Sequence, residues 1–292
     1  MSTLAYEIVD VFTDRPFAGN PLAVVFGAEA LGGDQMQALA REFNLSETVF
    51  VLPPGDIEAT YRARIFTPGE ELPFAGHPSV GAAVTFVRRG LAATGRLVQE
   101  CGAGLLPVVV ADDGSATLTG GAPTVGDALD PAGLLAATGL VADDYAGLKA
   151  TPSWAGCGLS FGYLPVERRA LARARGDAGR AEAAGVRMID VFAWDADTNT
   201  AYSRVFCTGV AVDEDPATGS AALGLGVWLV ANGWLPGDGT TGYTVHQGHE
   251  IHRPSLLKCA VTAADGVAVS ATVTGHVVPV ARGEIMVPPF VG

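Results

Sequence analysis

Gly76-His-Pro-Ser-Val-Gly-Ala-Ala-Val-Thr-Phe-Val-Arg-Arg-Gly90 and Gly219-Ser-Ala-Ala-Leu-Gly-Leu-Gly-Val-Trp-Leu-Val-Ala-Asn-Gly233 are two versions of one phrase. Each runs from one glycine to another fourteen residues later, with a third shared glycine at Gly81 and Gly224. A strand-like run precedes each copy, Arg62-Ala-Arg-Ile-Phe66 in the first and Ser203-Arg-Val-Phe206 in the second. An acid stands between run and phrase: Glu71 in one copy, Glu214 or Asp215 in the other. Two related halves, each presenting a helix start, suggest one site that both share. Chance likeness between two Gly/Ala-rich helices is the competing explanation in a chain of 38 glycines. The matching strand and acid upstream weigh against it.

The first turn of a helix leaves backbone N–H groups without internal partners, and the helix dipole adds partial positive charge there. Together these make a ready anion site. Both copies open on small residues, Gly76 and Thr218-Gly219-Ser220, so a ligand can approach the backbone closely. Both helices then turn apolar on nearly every side, the second being polar only at Asn232 between 221 and 235. Such helices are buried, and here they need a sheet wrapped around them.

The 292 residues suffice for two domains of ordinary size. With 49% of residues apolar and 17% charged, the chain is globular with an ample core. A net charge of −13 argues against nucleic acid or an anionic membrane as partner. An anionic substrate must then be held by local N–H groups rather than by the overall field. The N-terminus lacks the basic and apolar regions of a signal peptide, and no unbroken run of about 18 apolar residues exists to span a membrane. Cys101, Cys157, Cys207 and Cys259 are widely spaced, without metal-ligand or redox spacing, and read as reduced residues of a cytoplasmic protein. The run His246-x-x-His249-x-x-His252 has the look of a metal patch. Gly248 and Arg253-Pro254 make it a turn instead, so no metal is expected.

Alternating apolar stretches predict strands at 5–12, 22–26, 48–52, 60–66, 96–100, 105–110 and 116–119. Helices are expected at 34–43, opened by a capping box of Asp34 and Gln37, and at 77–89. Residues 120–127, rich in Gly, Pro and small side chains, read as the boundary between halves. Beyond it Asp130-Pro131 starts a short helix. Strands follow at 162–166, 186–194 and 201–207, the central helix at 218–232, and strands at 242–246, 256–262, 267–273 and 277–287. Residues 168–185, Ala/Arg-rich, read as a solvated surface helix broken near Gly176.

Three acid/base candidates stand beside turns or helix starts. Glu47 shares a period-2 face with Val49 and Val51, pointing inward. A carboxylate among apolar neighbours has a raised pKa and is a better general base; the alternative is a strand-edge surface acid. His77 follows Gly76 at the helix start, where the dipole favours a neutral imidazole, or it merely caps the helix. Asp215 precedes Pro216-Ala-Thr-Gly-Ser220, as a functional carboxylate or as charge complementing the dipole.

Ala18-Gly-Asn-Pro21, Asn44-Leu-Ser-Glu47, Phe66-Thr-Pro68, Glu71-Leu-Pro-Phe-Ala-Gly-His-Pro78, Asp213-Glu-Asp-Pro-Ala-Thr-Gly-Ser-Ala221, Gln247-Gly and Arg253-Pro-Ser255 stand in one order across about residues 5 to 255. In these motifs the chain resembles the phenazine-biosynthesis isomerase (PhzF-like) family. The resemblance implies an α+β, diaminopimelate epimerase-like fold: two pseudo-symmetric β-barrel-like halves, each wrapped around a central helix. The halves are expected at 1–121 and 122–277, with a C-terminal strand at about 278–292 returning to the first and the active site in the cleft between them. The resemblance further implies that Glu47 moves a proton between carbons and that His77 and Asp215 orient substrate and help shuttle protons. Backbone N–H groups around Gly76, Gly219 and Ser220 cradle a substrate carboxylate, and Asn20 adds a polar contact. In the thiol-dependent epimerases of this fold a cysteine starts each central helix; here those positions are Ala75 and Ala217, which removes a two-thiol mechanism. The family often has Gly before its Arg-Pro-Ser, where this chain has His252.

The expectation is a cofactor-independent isomerase acting on a small anionic, carboxylate-bearing metabolite. Its rivals are an epimerase built on a carboxylate/His pair and a binding protein for a small organic anion. A homodimer is the commonest oligomer, and an edge strand offers a route to it.

Overall fold

The structure, a computed structural model, describes residues 2–147, 150–208 and 213–289. Residues 290–292 of the expected C-terminal strand lie outside them. The chain divides into two units, Met1–Leu118 with Thr274–Gly292, and Thr119–Val273. Among the described residues no helix is long and apolar enough to cross a membrane.

Unit one is a closed eight-stranded barrel with the α+β, epimerase-like fold. Its elements are β1 (Thr3–Val11), β2 (Asn20–Phe26), α1 (Gly33–Phe43), β3 (Glu47–Leu52), β4 (Tyr61–Phe66), the two-residue β5 (Glu71–Leu72), α2 (Gly76–Arg88), β6 (Gly95–Cys101), β7 (Gly104–Val110) and β8 (Ser115–Thr119). The C-terminal part of β17 (Val267–Met286) completes it. Around the ring β17 pairs with β1, β1 with β2, β2 with β3, β3 with β4, β4 with β6, β6 with β7, β7 with β8, and β8 with β17. The β2–β3 and β4–β6 pairs are parallel, and each is bridged by a helix. Parallel neighbours require such crossovers. α1 packs outside the barrel through Met36, Leu39 and Ala40 against Val25, Phe50 and Phe66. α2 runs through it, touching β1, β2, β3, β4, β6 and β7, with every residue from Gly76 to Thr85 buried.

Unit two repeats this plan. It comprises β9 (Pro123–Ala128), α3 (Pro131–Ala137), β10 (Ser153–Cys157), β11 (Ser160–Pro165), α4 (Ala178–Ala183), β12 (Met188–Asp195), β13 (Thr200–Cys207), β14 (Glu214–Asp215), α5 (Gly219–Ala231), β15 (Gly239–Gln247), β16 (Ser255–Ala264) and the start of β17. β11 lies parallel to β12 across α4, as β2 does to β3 across α1. β13 lies parallel to β15 across α5, as β4 does to β6 across α2. α5 is buried from Gly219 to Val230.

The three glycines of the repeated phrase have the same jobs twice. Gly76 and Gly219 are the first residues of their helices. At Gly81 a Cβ would collide with Leu22 and Val11, and at Gly224 with the Tyr163 hydroxyl, so helix and barrel wall meet at backbone distance. Gly90 and Gly233 have φ of 73° and 68°. Their N–H groups bond to Val87 and Val230, and those of Leu91 and Trp234 bond to Phe86 and Leu229, at 2.8–3.2 Å. This is the Schellman ending, which favours glycine at its left-handed position.

The structure corrects four local expectations. Gly32, not Asp34, caps α1: Gln35 Oε1 accepts from the Gly32 N–H at 3.2 Å, while the Gln37 amide donates to the Thr67 carbonyl. β17 is one strand of 20 residues where two were expected. Gly275 and His276 interrupt the apolar signal, but the in/out phase runs through them unbroken, with Ala271, Val273, Gly275 and Val277 all inward. The boundary segment 120–127 contains most of β9, which pairs with the unforeseen β10. β9 is largely exposed and contains Pro and Gly, so only pairing reveals it. Finally, 168–185 is a 3-10 turn (Arg168–Arg173) followed by α4, and Ala170, Leu171, Ala174 and Ala181 are buried against β11–β13 rather than solvated.

Candidate active site

In unit one the fold brings Glu47, His77, Asn20 and Gly76 together. Glu47 opens β3 and pairs with Leu22, two residues after Asn20 opens β2. His77 is the second residue of α2 and is 5% exposed. Its Nε2 lies 3.5 Å from Glu47 Oε2, and its Nδ1 3.3 Å from Asn20 Nδ2. Burial drives the imidazole down to about 3. The contact is therefore between a carboxylate and a neutral ring, not an ion pair, and desolvation rather than the helix dipole is the leading cause. The ring is held from the β2 side, by the Asn20 amide at Nδ1 and by a hydrogen bond with the Pro21 backbone.

A buried polar chain fixes the start of α2. Tyr61 OH donates to Gln99 Oε1 at 3.0 Å, Gln99 Nε2 donates to Ser79 Oγ at 2.8 Å, and Ser79 Oγ donates to the Ala75 carbonyl at 2.9 Å. The loop that delivers Asn20 is tied by Asp10, whose carboxylate accepts from the Phe17 N–H at 2.7 Å. Ala75 is the helix cap, with no side chain to cap with.

In unit two Asp215, Gly219 and Ser220 come together at the start of α5. Asp215 Oδ2 accepts from Thr218 Oγ1 at 2.6 Å. Gln247, 1% exposed, accepts the Thr218 N–H at 3.0 Å and donates to the Asp215 carbonyl at 2.7 Å and to Thr218 Oγ1 at 3.0 Å. Ser255 Oγ holds the Pro216 carbonyl at 2.9 Å. Ala217 is fully buried just before the cap residue Thr218.

The acid that the repeat left open is Glu214. Its residue pairs with Phe206 as Glu71 pairs with Phe66. Arg204 Nε and Nη2 grip it at 2.8 and 2.6 Å, as Arg64 grips Glu71 at 2.7 and 2.6 Å. Each guanidinium also lies over the phenylalanine two residues on, at 5.1 and 5.2 Å. The shared Arg-x-Phe tripeptide was the signal available in the sequence. Arg204 further donates to the Leu171 and Ala174 carbonyls at 2.7 Å. Gln247 and Ser255 stood in the motifs without a role; only their hydrogen bonds supply one.

His246 stacks on Tyr202 at 5.2 Å and 13°. Among the described residues no group of three or more His, Cys, Asp and Glu side chains is placed to hold a metal. His252 has φ of 59°, a left-handed conformation that suits the glycine often found there in the resembled family.

Comparison with known proteins gives consistent matches along the chain. The family model for phenazine biosynthesis-like proteins matches residues 9–283. An uncharacterized isomerase of Mesorhizobium japonicum is 34% identical over 98% of this chain and 100% of its own. The trans-2,3-dihydro-3-hydroxyanthranilate isomerase of Pseudomonas aeruginosa is 33% identical over 96% of this chain and 98% of its own. Among solved structures, a PhzF-family phenazine biosynthesis protein of Bacillus anthracis superposes with a TM-score of 0.87 at 27% identity, covering 98% of this chain and 100% of that one. A hydroxyproline epimerase of Agrobacterium vitis shares the fold, with a TM-score of 0.66 at 15% identity over 98% and 94% of the two chains.

Proposed function

The chain belongs to the phenazine biosynthesis-like family and is an isomerase, and from that premise we propose that it moves a proton between carbons of a small carboxylate-bearing metabolite without a cofactor. The observation that carries the reading is the contact of Glu47 Oε2 with His77 Nε2 at 3.5 Å, beside a helix start. Glu47 takes the proton from carbon and returns it to another carbon of the same molecule. A neutral His77 lies against Glu47 without adding a charge that would pair with it permanently. As the proton leaves, negative charge spreads toward the substrate's carboxylate or enol oxygen. Backbone N–H groups at Gly76, Gly219 and Ser220 are fixed donors for that charge, and fixed donors stabilise a transition state without reorganising. Asp215 orients the substrate, and Asn20 holds the imidazole.

The named relative supplies the first substrate to try. Incubated with trans-2,3-dihydro-3-hydroxyanthranilate in deuterated water, the protein should place deuterium on a carbon of the product. Glu47→Gln should slow turnover by roughly 10²–10⁴-fold, the usual contribution of a general base. Undiminished turnover in that variant would remove Glu47 from the reaction. Inverted stereochemistry at one carbon, with no shift of a double bond, would replace isomerisation by epimerisation.

A further inference from the structure

Thr218 is the cap residue of α5, yet its hydroxyl makes no capping bond. A threonine there ordinarily accepts from an N–H of the first turn. This one is engaged in the other direction, and its partners fix where every hydrogen goes. The Thr218 backbone N–H can only donate, so the atom of Gln247 that meets it at 3.0 Å is the carbonyl oxygen Oε1. The other end of the amide is then Nε2, which donates to the Asp215 carbonyl at 2.7 Å and to Thr218 Oγ1 at 3.0 Å. A hydroxyl accepting there has one hydrogen left, and Asp215 Oδ2 receives it at 2.6 Å. That length suits a hydroxyl bonded to a charged carboxylate.

We propose that Gln247 and Thr218 are positioning residues that act through Asp215: Gln247 orients the Thr218 hydroxyl, which holds the Asp215 carboxylate in a single rotamer. The inference rests on the reading that Asp215 orients the substrate, and it assigns that orientation to a side chain 32 positions further along the chain. Gln247 is placed for it by the end of β15, whose last residue pairs with Ser203 and Ser255. Diverting Thr218 from capping has a second consequence. The first-turn N–H groups of α5 receive nothing from their own cap side chain, as those of α2 receive nothing from Ala75.

Thr218→Val keeps the shape and removes both hydroxyl bonds while leaving the two backbone contacts of Gln247 in place. Its crystal structure should show the Asp215 carboxylate turned away from its present position, and Thr218→Ser should restore it. In the isomerase assay Thr218→Val should lower kcat roughly ten- to hundred-fold with KM little changed, again restored by serine. The loss should vanish when Thr218→Val is made in an Asp215→Asn background. Gln247→Leu should move the carboxylate in the same way if it folds. A Thr218→Val protein whose Asp215 keeps its place overturns the proposal, whatever its turnover. Full activity in Asp215→Asn alone would instead discard the catalytic role of Asp215, and the position of the carboxylate in Thr218→Val would still decide this inference.

Discussion

Two buried ionisable side chains set opposing pH responses. His77, held down to about 3 by burial, stays neutral in the fold, whereas an unfolded histidine titrates near 6.5. The unfolded chain thus binds the extra proton first, and stability falls as pH drops from 6.5 toward 3. Asp190, 1% exposed on β12, behaves in the reverse sense. Burial pushes its carboxyl up to about 7, and the lowering effect of the nearby Ser203 hydroxyl does not offset that. The fold keeps the proton that the unfolded chain gives up near 3.8, so stability declines as pH rises from 3.8 through 7. The two windows overlap and the slopes oppose each other, so denaturant titrations across pH 3–8 should show His77→Gln losing the wild type's rising contribution between about 3 and 6.5 and Asp190→Asn losing the falling contribution between 3.8 and about 7. Each slope approaches about 1.4 kcal/mol per pH unit at most. Equal slopes in wild type and variant would refute the assignment. Glu47 and His77 could be named from the sequence because they flank recognisable turn and helix-start signals. Asp190 could not, since nothing local separates an acid turned into a barrel from one facing water.

At the level of strands and helices, the two Arg–Glu grips are the same device in different surroundings. The Arg204 and Glu214 side chains are 3% and 12% exposed; those of Arg64 and Glu71 are 22% and 41% exposed. Removing one partner of a buried pair strands a charge and costs about 3–5 kcal/mol. An exposed pair contributes about 0–1 kcal/mol because water screens it. Glu214→Ala should accordingly destabilise the protein severely and Glu71→Ala only slightly, as read by urea unfolding of each variant. Comparable losses would mean that burial does not govern the pair. The central helices were legible because their glycines, apolar continuity and closing turns are all local. The Gln37 capping box failed because the true cap is Gly32, and the glutamine three residues after it is Gln35. β9 and β10 went unseen because neither alternates, and each is a strand only through its neighbour.

For the molecule as a whole, the field is negative: the net charge is −13. An anionic substrate as proposed would be repelled at long range, which leaves its retention to short-range N–H groups. Added salt should therefore raise kcat/KM for an anionic substrate when encounter is limiting, with little change for a neutral analogue. A fall with salt would point to a cationic surface steering the substrate instead. The repeated phrase, the strand-like run before each copy and the acid between them were enough to suggest two related halves and a helix start in each, because they depend on spacing along the chain. Which acid meets which arginine, the neutrality of His77, the continuity of β17 and the tie from Gln247 to Asp215 arise only when the strands and helices of each unit pack together. Packing brings residues tens of positions apart within hydrogen-bonding distance and strips water from them, and neither separation in space nor loss of solvent is encoded in any short stretch of sequence.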